Sequence, residues 1–159
     1  MSSKEKEGQL GILALDHGSK RIGVAVNDPT CTLALPLGYL PAEPFAEFVR
    51  QLKEFIRRYE VSLLLVGLPR NMDGSYGPAA ERVREFTQKC KQLVPIPVEL
   101  RDERLTTKLA ARYLREAGRK EKESRQKIDG VAAAILLQSY LDELSFRADM
   151  SGQCNPGGS

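Results

Sequence analysis

Short apolar runs, each closed by turn-forming residues, most constrain what this chain can fold into. Residues 10–16 and 61–66 are almost continuously apolar, a pattern typical of strands that are buried on both faces. The first run passes through the tight turn Gly18-Ser19-Lys20 into a second apolar segment at 21–27, which predicts a β-hairpin. A hairpin start followed by alternating strands and helices favours a mixed sheet.

The remaining elements follow from the spacing of apolar residues. A third strand is expected between residues 31 and 40, at an edge of the sheet, because Pro36 cannot donate a ladder hydrogen bond. The other predicted elements are a strand at 97–101 and helices at 43–58, 78–93, 105–117 and 125–145. The predicted fold class is α/β: a mixed five-stranded sheet, with strands 1–3 antiparallel and strands 4 and 5 parallel to strand 1, covered by helices on both faces.

Length and composition suggest one domain with polar ends. The chain has 159 residues, which is enough for one buried core. We expect residues 1–8 to form a disordered tail, residues 9–145 a single folded domain, and residues 146–159 a second disordered tail. No apolar run approaches the roughly 18 residues of a membrane helix, and the N-terminus lacks a signal-peptide stretch. We therefore expect a cytoplasmic protein with no membrane partner.

Cysteine and histidine usage argues against two kinds of site. The three cysteines, Cys31, Cys90 and Cys154, form no CxxC pair, so neither a zinc site nor a disulfide framework is indicated. His17 is the only histidine and no nucleophile elbow accompanies it, which argues against a Ser-His-Asp enzyme.

Acidic residues stand where three of the predicted elements should meet. Asp16 ends the first strand, Asp102 and Glu103 follow the strand at 97–101, and Asp129 interrupts the apolar stripe of the last helix. Ligands of such sheets gather at the carboxyl ends of the parallel strands. Buried carboxylates need a positive partner, and hard cations such as Mg²⁺ take oxygen ligands. These acids therefore predict a metal site, and carboxylate-held metals that act on phosphate esters suggest a nuclease.

Each acid also has a plainer interpretation. Asp16 could be a turn former at the end of its strand. Asp102 could cap the helix that follows it, which makes Glu103 the preferred ligand of that pair. Asp129 is harder to explain in this way, because the alanines that follow it let the last helix approach the sheet closely.

Glycines and basic residues near these acids are candidate contacts for a nucleic acid. Glycine permits close approach of the backbone, and amide or basic donors meet phosphate and sugar oxygens. The alternatives are a plain tight turn and ordinary surface charges. The candidates are Lys20, Arg21, Gly67, Asn71, Asp73, Gly74 and Arg104. Residues 101–127 carry ten basic and five acidic side chains, so this segment could hold a polyanion or could be a solvated helix of mixed charge.

Four segments resemble the motifs of the YqgF/RuvX family, in the same order along the chain. They are LDHGSKRIGVAV at 15–26, VGLPRNMDG at 66–74, DERLTT at 102–107 and KIDGVAAAILLQ at 127–138. The resemblance implies an RNase H-like fold and a nuclease that processes the 5′ end of pre-16S ribosomal RNA. It also implies catalytic acids at Asp16, Glu103 and Asp129, with Asp102 as a substitute or a supporting residue. These four acids are then the expected ligands of Mg²⁺ or Mn²⁺, most simply as a pair of ions.

Three other functions are considered. A resolvase that cuts branched DNA at Holliday junctions would use the same acids, and a stable homodimer would favour it over a monomer that cuts RNA. An ATP-binding protein of the actin-like type needs two such domains and is too large for this chain. A module that binds RNA or protein without catalysis is the third alternative.

Overall fold

The computed structural model describes residues 11–18, 20–71, 73–102 and 130–151, with side chains described as far as residue 147. This part of the chain contains five strands and three helices. In chain order they are β1 (Ile12–His17), β2 (Arg21–Asn27), β3 (Ala34–Pro41), α1 (Phe45–Arg58), β4 (Leu63–Leu68), α2 (Pro78–Leu93), β5 (Val98–Asp102) and α3 (Val131–Ser151).

The strands form one sheet in the order β3-β2-β1-β4-β5. β2 is antiparallel to both β1 and β3, whereas β4 is parallel to both β1 and β5. The predicted class is confirmed, including the edge position of β3, the strand that contains Pro36. The order and directions of the strands are those of the RNase H-like fold.

The sheet separates two apolar cores, because successive side chains of a strand point to opposite faces. Leu13 and Leu15 of β1 belong to the core that includes residues of α1 and α2. Ile12 and Ala14 belong to the core formed with α3. The prediction that helices cover both faces is therefore confirmed. None of the described helices is long and apolar enough to cross a membrane.

Most predicted boundaries lie within one to three residues of those observed, and two differences at element ends are informative. β4 ends at Leu68 rather than at residue 66, because its parallel pairing with β5 continues to the pair Leu68 and Asp102. The last helix ends at Ser151 rather than near 145. Within this extension the Arg147 side chain forms an ion pair with Glu143, one turn earlier.

Several predictions fall outside the described residues. These are the helix at 105–117, the tail at 1–8 and the end of the chain after Ser151. The start of the last helix, expected at about 125, is described only from residue 130 onward. The single-domain boundaries at 9 and 145 therefore stay a prediction.

Candidate functional site

Asp16 lies near the end of β1, on the face of the sheet that α3 covers. It alternates with Ile12 and Ala14, which pack in the α3 core. Its side chain is half-buried. The central strand of the sheet thus presents one carboxylate toward the α3 side, at the end where β1 and β4 both terminate.

Glycines flank Asp16 on both neighbouring strands. Gly23 of β2 is its partner in the antiparallel pair. On β4, Val66 is the parallel partner of Leu15, so Gly67 follows beside Asp16. Because glycine has no side chain, neither neighbouring position covers the Asp16 carboxylate with a side chain of its own.

The start of α3 packs onto this surface through Gly130. A Cβ atom built on Gly23 would lie 3.4 Å from the Cα atom of Gly130 and 3.6 Å from the Cβ atom of Asp16. Gly130 itself has a φ of +87°, and a Cβ atom there would come within 2.6 Å and 2.9 Å of two main-chain carbonyl oxygens, of β2 and β3. Glycine at 130 therefore permits an approach of α3 to the sheet that no other residue would allow without strain.

The second described acid, Asp102, points to the other face of the sheet. It is the last residue of β5 and pairs with Leu68, which belongs to the core of α1 and α2. Arg101, its neighbour in β5, instead contacts α3, where its guanidinium carbon lies 5.3 Å from the centroid of the Tyr140 ring. The structure therefore does not bring Asp102 and Asp16 onto one face.

The other two predicted acids, Glu103 and Asp129, lie outside the described residues. Within the described ranges, no three His, Cys, Asp or Glu side chains lie close enough together to hold a metal ion. A site with three such ligands built on Asp16 would therefore include at least one residue outside the described ranges.

Arg70 is not among the predicted site residues, yet its side chain connects the end of β5 to the loop that follows β4. Its Nη1 atom lies 2.7 Å from Oδ2 of Asp102 in an ion pair. Its Nε and Nη2 atoms donate to the carbonyl oxygen of Gly74 at 2.8 Å and 2.5 Å. Its guanidinium carbon lies 4.8 Å from the centroid of the Tyr76 ring. The sequence segment 66–74 contains Arg70, but a partner 32 residues away gives no local signal.

The loop after Arg70 is closed by its own polar groups. The Asp73 carboxylate accepts hydrogen bonds from the main-chain N–H and the hydroxyl of Ser75, at 2.9 Å and 2.6 Å, and these bonds hold the pKa of Asp73 below its usual value. The Asn71 side chain donates to the same hydroxyl, and Gly74 adopts a φ of +90°. Asn71, Asp73 and Gly74 thus have structural roles in a tight turn, and their predicted contact with nucleic acid stays a prediction.

Two of the basic candidates lie on the exposed surface near Asp16. Lys20 and Arg21 are both exposed, and Arg21 alternates with Gly23, which faces α3. The guanidinium carbon of Arg21 lies 4.4 Å from the centroid of the Tyr39 ring, a cation–π contact that holds its charge near this surface. The third basic candidate, Arg104, lies outside the described residues.

His17 lies next to Asp16 in sequence but on the opposite face of the sheet. Its ring packs on Phe86 of α2, with a centroid distance of 4.6 Å. Burial, and to a smaller extent the positive charge of Arg82, lowers the pKa of His17. The imidazole is thus directed toward α2 rather than toward the Asp16 carboxylate.

The mixed sheet, in the order β3-β2-β1-β4-β5 with helices on both faces, is the arrangement of an RNase H-like fold. The chain belongs to the RuvX family, described as Holliday junction resolvase, whose sequence model matches residues 11–143. A protein of Moorella thermoacetica named "Putative pre-16S rRNA nuclease" is 49% identical over 133 residues, which are 84% of this chain and 95% of that protein. A protein of the same name from Pelotomaculum thermopropionicum is 43% identical over 148 residues, 92% of this chain and 96% of that protein.

Among solved structures, the chain is similar to T. thermophilus RuvC in complex with Holliday junction substrate. The identity is 15%, the TM-score is 0.49, and the match covers 84% of this chain and 96% of that one.

Proposed function

We propose that this protein is a metal-dependent nuclease that hydrolyses phosphodiester bonds during processing of the 5′ end of pre-16S ribosomal RNA. The relatives that carry this name align with 84% and 92% of the chain, at 49% and 43% identity. The observation that carries the proposal is Asp16, held on the central strand between Gly23 and Gly67. The close approach of Gly130 brings the start of α3 to the same surface, and Asp129 immediately precedes Gly130 in the chain.

Glu103 is a better partner for Asp16 than Asp102 is. Odd-numbered positions of β5 face α3, as Arg101 does, and 103 is the next odd-numbered position in the chain. Asp102 faces the other way and already forms an ion pair with Arg70. We therefore assign the catalytic acids as Asp16, Glu103 and Asp129, and give Asp102 a supporting role.

The proposed cofactor is a pair of Mg²⁺ or Mn²⁺ ions. Carboxylate oxygens are the donors that these hard cations prefer, and the acids proposed to hold them are Asp16, Glu103 and Asp129. When bound, such ions supply an activated water and stabilise the charge on the leaving oxygen. The contribution of the chain is to fix Asp16 on a rigid central strand and to keep the neighbouring sheet surface free of side chains.

The proposed nucleic-acid surface extends from Asp16 in two directions. On one side, Lys20 and Arg21 offer positive charge, and Arg21 is oriented by the Tyr39 ring. On the other side, Gly67 leads into the loop at 70–77, whose main-chain groups could meet the phosphate backbone. Arg104 is the third proposed basic contact. The proposed location is the cytoplasm.

A cleavage assay tests the proposal. Purified protein is incubated with a pre-16S ribosomal RNA fragment, with and without Mg²⁺ or Mn²⁺, beside Asp16→Asn, Glu103→Gln and Asp129→Asn. We expect metal-dependent cleavage that each variant reduces by at least about 100-fold, because each loses an inner ligand. Glu85→Gln, at an exposed position of α2, is the matched control for Glu103→Gln and should cleave normally. Full activity of Asp16→Asn would refute the assignment.

The family description favours a second candidate, the resolution of Holliday junctions. A synthetic four-way DNA junction in the same assay separates the two substrates. Symmetric cuts in the junction by a stable homodimer, measured by sedimentation, would move the function from RNA to branched DNA. Tight binding of either substrate with no cleavage under any metal condition would instead favour a non-catalytic binding module.

A further inference from the structure

We infer that Arg70 is a positioning residue, which fixes the carboxyl end of β5 and the loop at 71–76 relative to each other. The inference deepens the proposed function and rests on it, because the residue that follows the end of β5 is the proposed catalytic acid Glu103. Arg70 itself is not proposed to touch the reacting phosphate.

The contacts of Arg70 divide between two different segments of the chain. One terminal nitrogen, Nη1, pairs with Asp102, while Nε and Nη2 both donate to the carbonyl oxygen of Gly74. The two charged side chains are 28% and 19% exposed, so solvent screens their attraction less than it would at an open surface. A planar guanidinium can make both sets of contacts at once, which the single ammonium group of lysine cannot.

The ion pair continues the connection between β4 and β5 beyond the end of their ladder. The last pair in that ladder is Leu68 with Asp102. Arg70 lies two residues after Leu68 and returns to contact Asp102 from the loop side. The end of β5 is thus held twice, by main-chain pairing and by a charged side-chain contact.

The described residues of the loop that follows Arg70 are connected by two main-chain hydrogen bonds. Asn71 N–H donates to the Ser75 carbonyl at 2.8 Å, and Gly74 N–H donates to the Asn71 carbonyl at 2.9 Å. Because Gly74 is part of this closed turn, the contact between Arg70 and its carbonyl oxygen holds the whole turn. A displacement of the loop by bound nucleic acid is therefore transmitted through Arg70 to Asp102, the neighbour of Glu103.

Single and double substitutions test this coupling in the full-length protein. Arg70→Gln, Asp102→Asn and the double variant are compared by kcat and KM, from initial rates of cleavage of the pre-16S fragment over a range of RNA concentrations in Mn²⁺. We expect each single variant to lower kcat by about tenfold, and the double variant to lower it by no more than either one, because the two residues act as one pair. KM should change less than kcat, since neither side chain is proposed to contact the substrate. Arg70→Lys should recover only part of the rate.

Arg84→Gln is the matched control, since the Arg84 guanidinium also lies over the Tyr76 ring, at 4.9 Å, but forms its ion pair with Glu81. It should cleave at the normal rate. Unchanged turnover in Arg70→Gln, or a double variant whose rate loss is the product of the two single losses, would overturn the inference.

A second readout does not depend on cleavage. Amide hydrogen exchange in residues 71–76 should be faster in Asp102→Asn than in the parent protein, although the substitution lies on β5 and not in the loop. Normal exchange there would overturn the inference even in an active enzyme. Accelerated exchange in a protein that cleaves no nucleic acid would instead refute the proposed function and leave the physical coupling in place.

Discussion

Gly23 and Asp16 face each other across β2 and β1, and a Cβ atom on Gly23 would lie only 3.6 Å from the Cβ atom of Asp16. The same Cβ atom would lie in van der Waals contact with the main chain of Gly130, 3.4 Å from its Cα atom. Gly130, from a distant part of the sequence, therefore brings the start of α3 against the sheet beside the carboxylate on the central strand.

Gly130→Ala should destabilise the protein by at least about 2 kcal/mol, because the added methyl group meets main-chain oxygens that cannot move aside and the residue has a positive φ. The free energy of unfolding, from urea titration followed by circular dichroism, measures the effect. Glu85→Ala, at an exposed position of α2, is the control and should change stability by no more than about 0.5 kcal/mol. An unchanged urea midpoint for Gly130→Ala would show that α3 does not pack as described.

Arg21→Gln should weaken the binding of RNA of any sequence, because a contact to phosphate carries no base information. The slope of log Kd against log salt concentration should fall by about 1, as expected for the loss of one phosphate contact. Fluorescence anisotropy at several salt concentrations measures both quantities. Arg57→Gln removes an exposed charge from α1, the helix on the other face, and should leave the slope unaltered. Equal slopes for Arg21→Gln and the parent would remove Arg21 from the proposed surface.

His17 should make the folded state less stable as the pH falls from 7 toward 5. Burial and the nearby charge of Arg82 lower its pKa in the folded state, so the unfolded chain takes up a proton first and unfolding becomes more favourable. The stability that this group contributes is present above its unfolded pKa and is lost as the pH falls through the folded pKa. His17→Phe keeps a ring against Phe86 and should flatten the pH profile of the melting temperature in this range. A slope in the variant that equals the slope of the parent would contradict the assignment.

Cys90 should resist thiol reagents until the protein unfolds. Its side chain is fully buried, and burial raises the pKa of the thiol to about 12, so almost no thiolate is present at pH 8. In a variant with Cys31→Ala and Cys154→Ala, we expect alkylation by iodoacetamide to be at least about 100-fold slower in buffer than in denaturant. Mass spectrometry of timed samples gives both rates. Similar rates in the two solutions would mean that α2 is not packed against the sheet as described.

The sequence alone predicts the sheet well, because the order of apolar runs limits the arrangements that bury them. The runs at 10–16 and 21–27 became β1 and β2 with only small changes of boundary. The end of β4 was wrong by two residues, since a glycine at 67 suggests a break where the ladder with β5 in fact continues. Apolar pattern identifies a strand, whereas its exact end depends on the neighbouring strand.

The candidate site is harder to predict, because the sequence of a buried strand does not show which of its side chains point to which face of the sheet. If helices cover both faces of β5, alternation by itself cannot choose between Asp102 and Glu103. In the structure Glu99 and Leu100, on opposite faces of this strand, are both exposed. The contact of Arg101 with α3, and the pairing of Asp102 with Leu68 of the opposite core, show which face Asp102 occupies. The role of Arg70 could not be predicted for a related reason. Its partner Asp102 lies on β5, and the parallel pairing of β4 with β5, rather than any local sequence pattern, brings the two residues together.

The Gln138 side chain on α3 forms two hydrogen bonds with the main chain at the start of β3. Its carbonyl oxygen accepts from Ala34 N–H at 2.9 Å, and its amide group donates to the Thr32 carbonyl at 2.8 Å, across more than 100 residues of sequence. All five strands precede α3 in the chain, so the ribosome synthesises the whole sheet before the helix that covers one of its faces. Until then Ile12 and Leu65 have no cover from α3, so the nascent chain exposes the apolar face of its sheet.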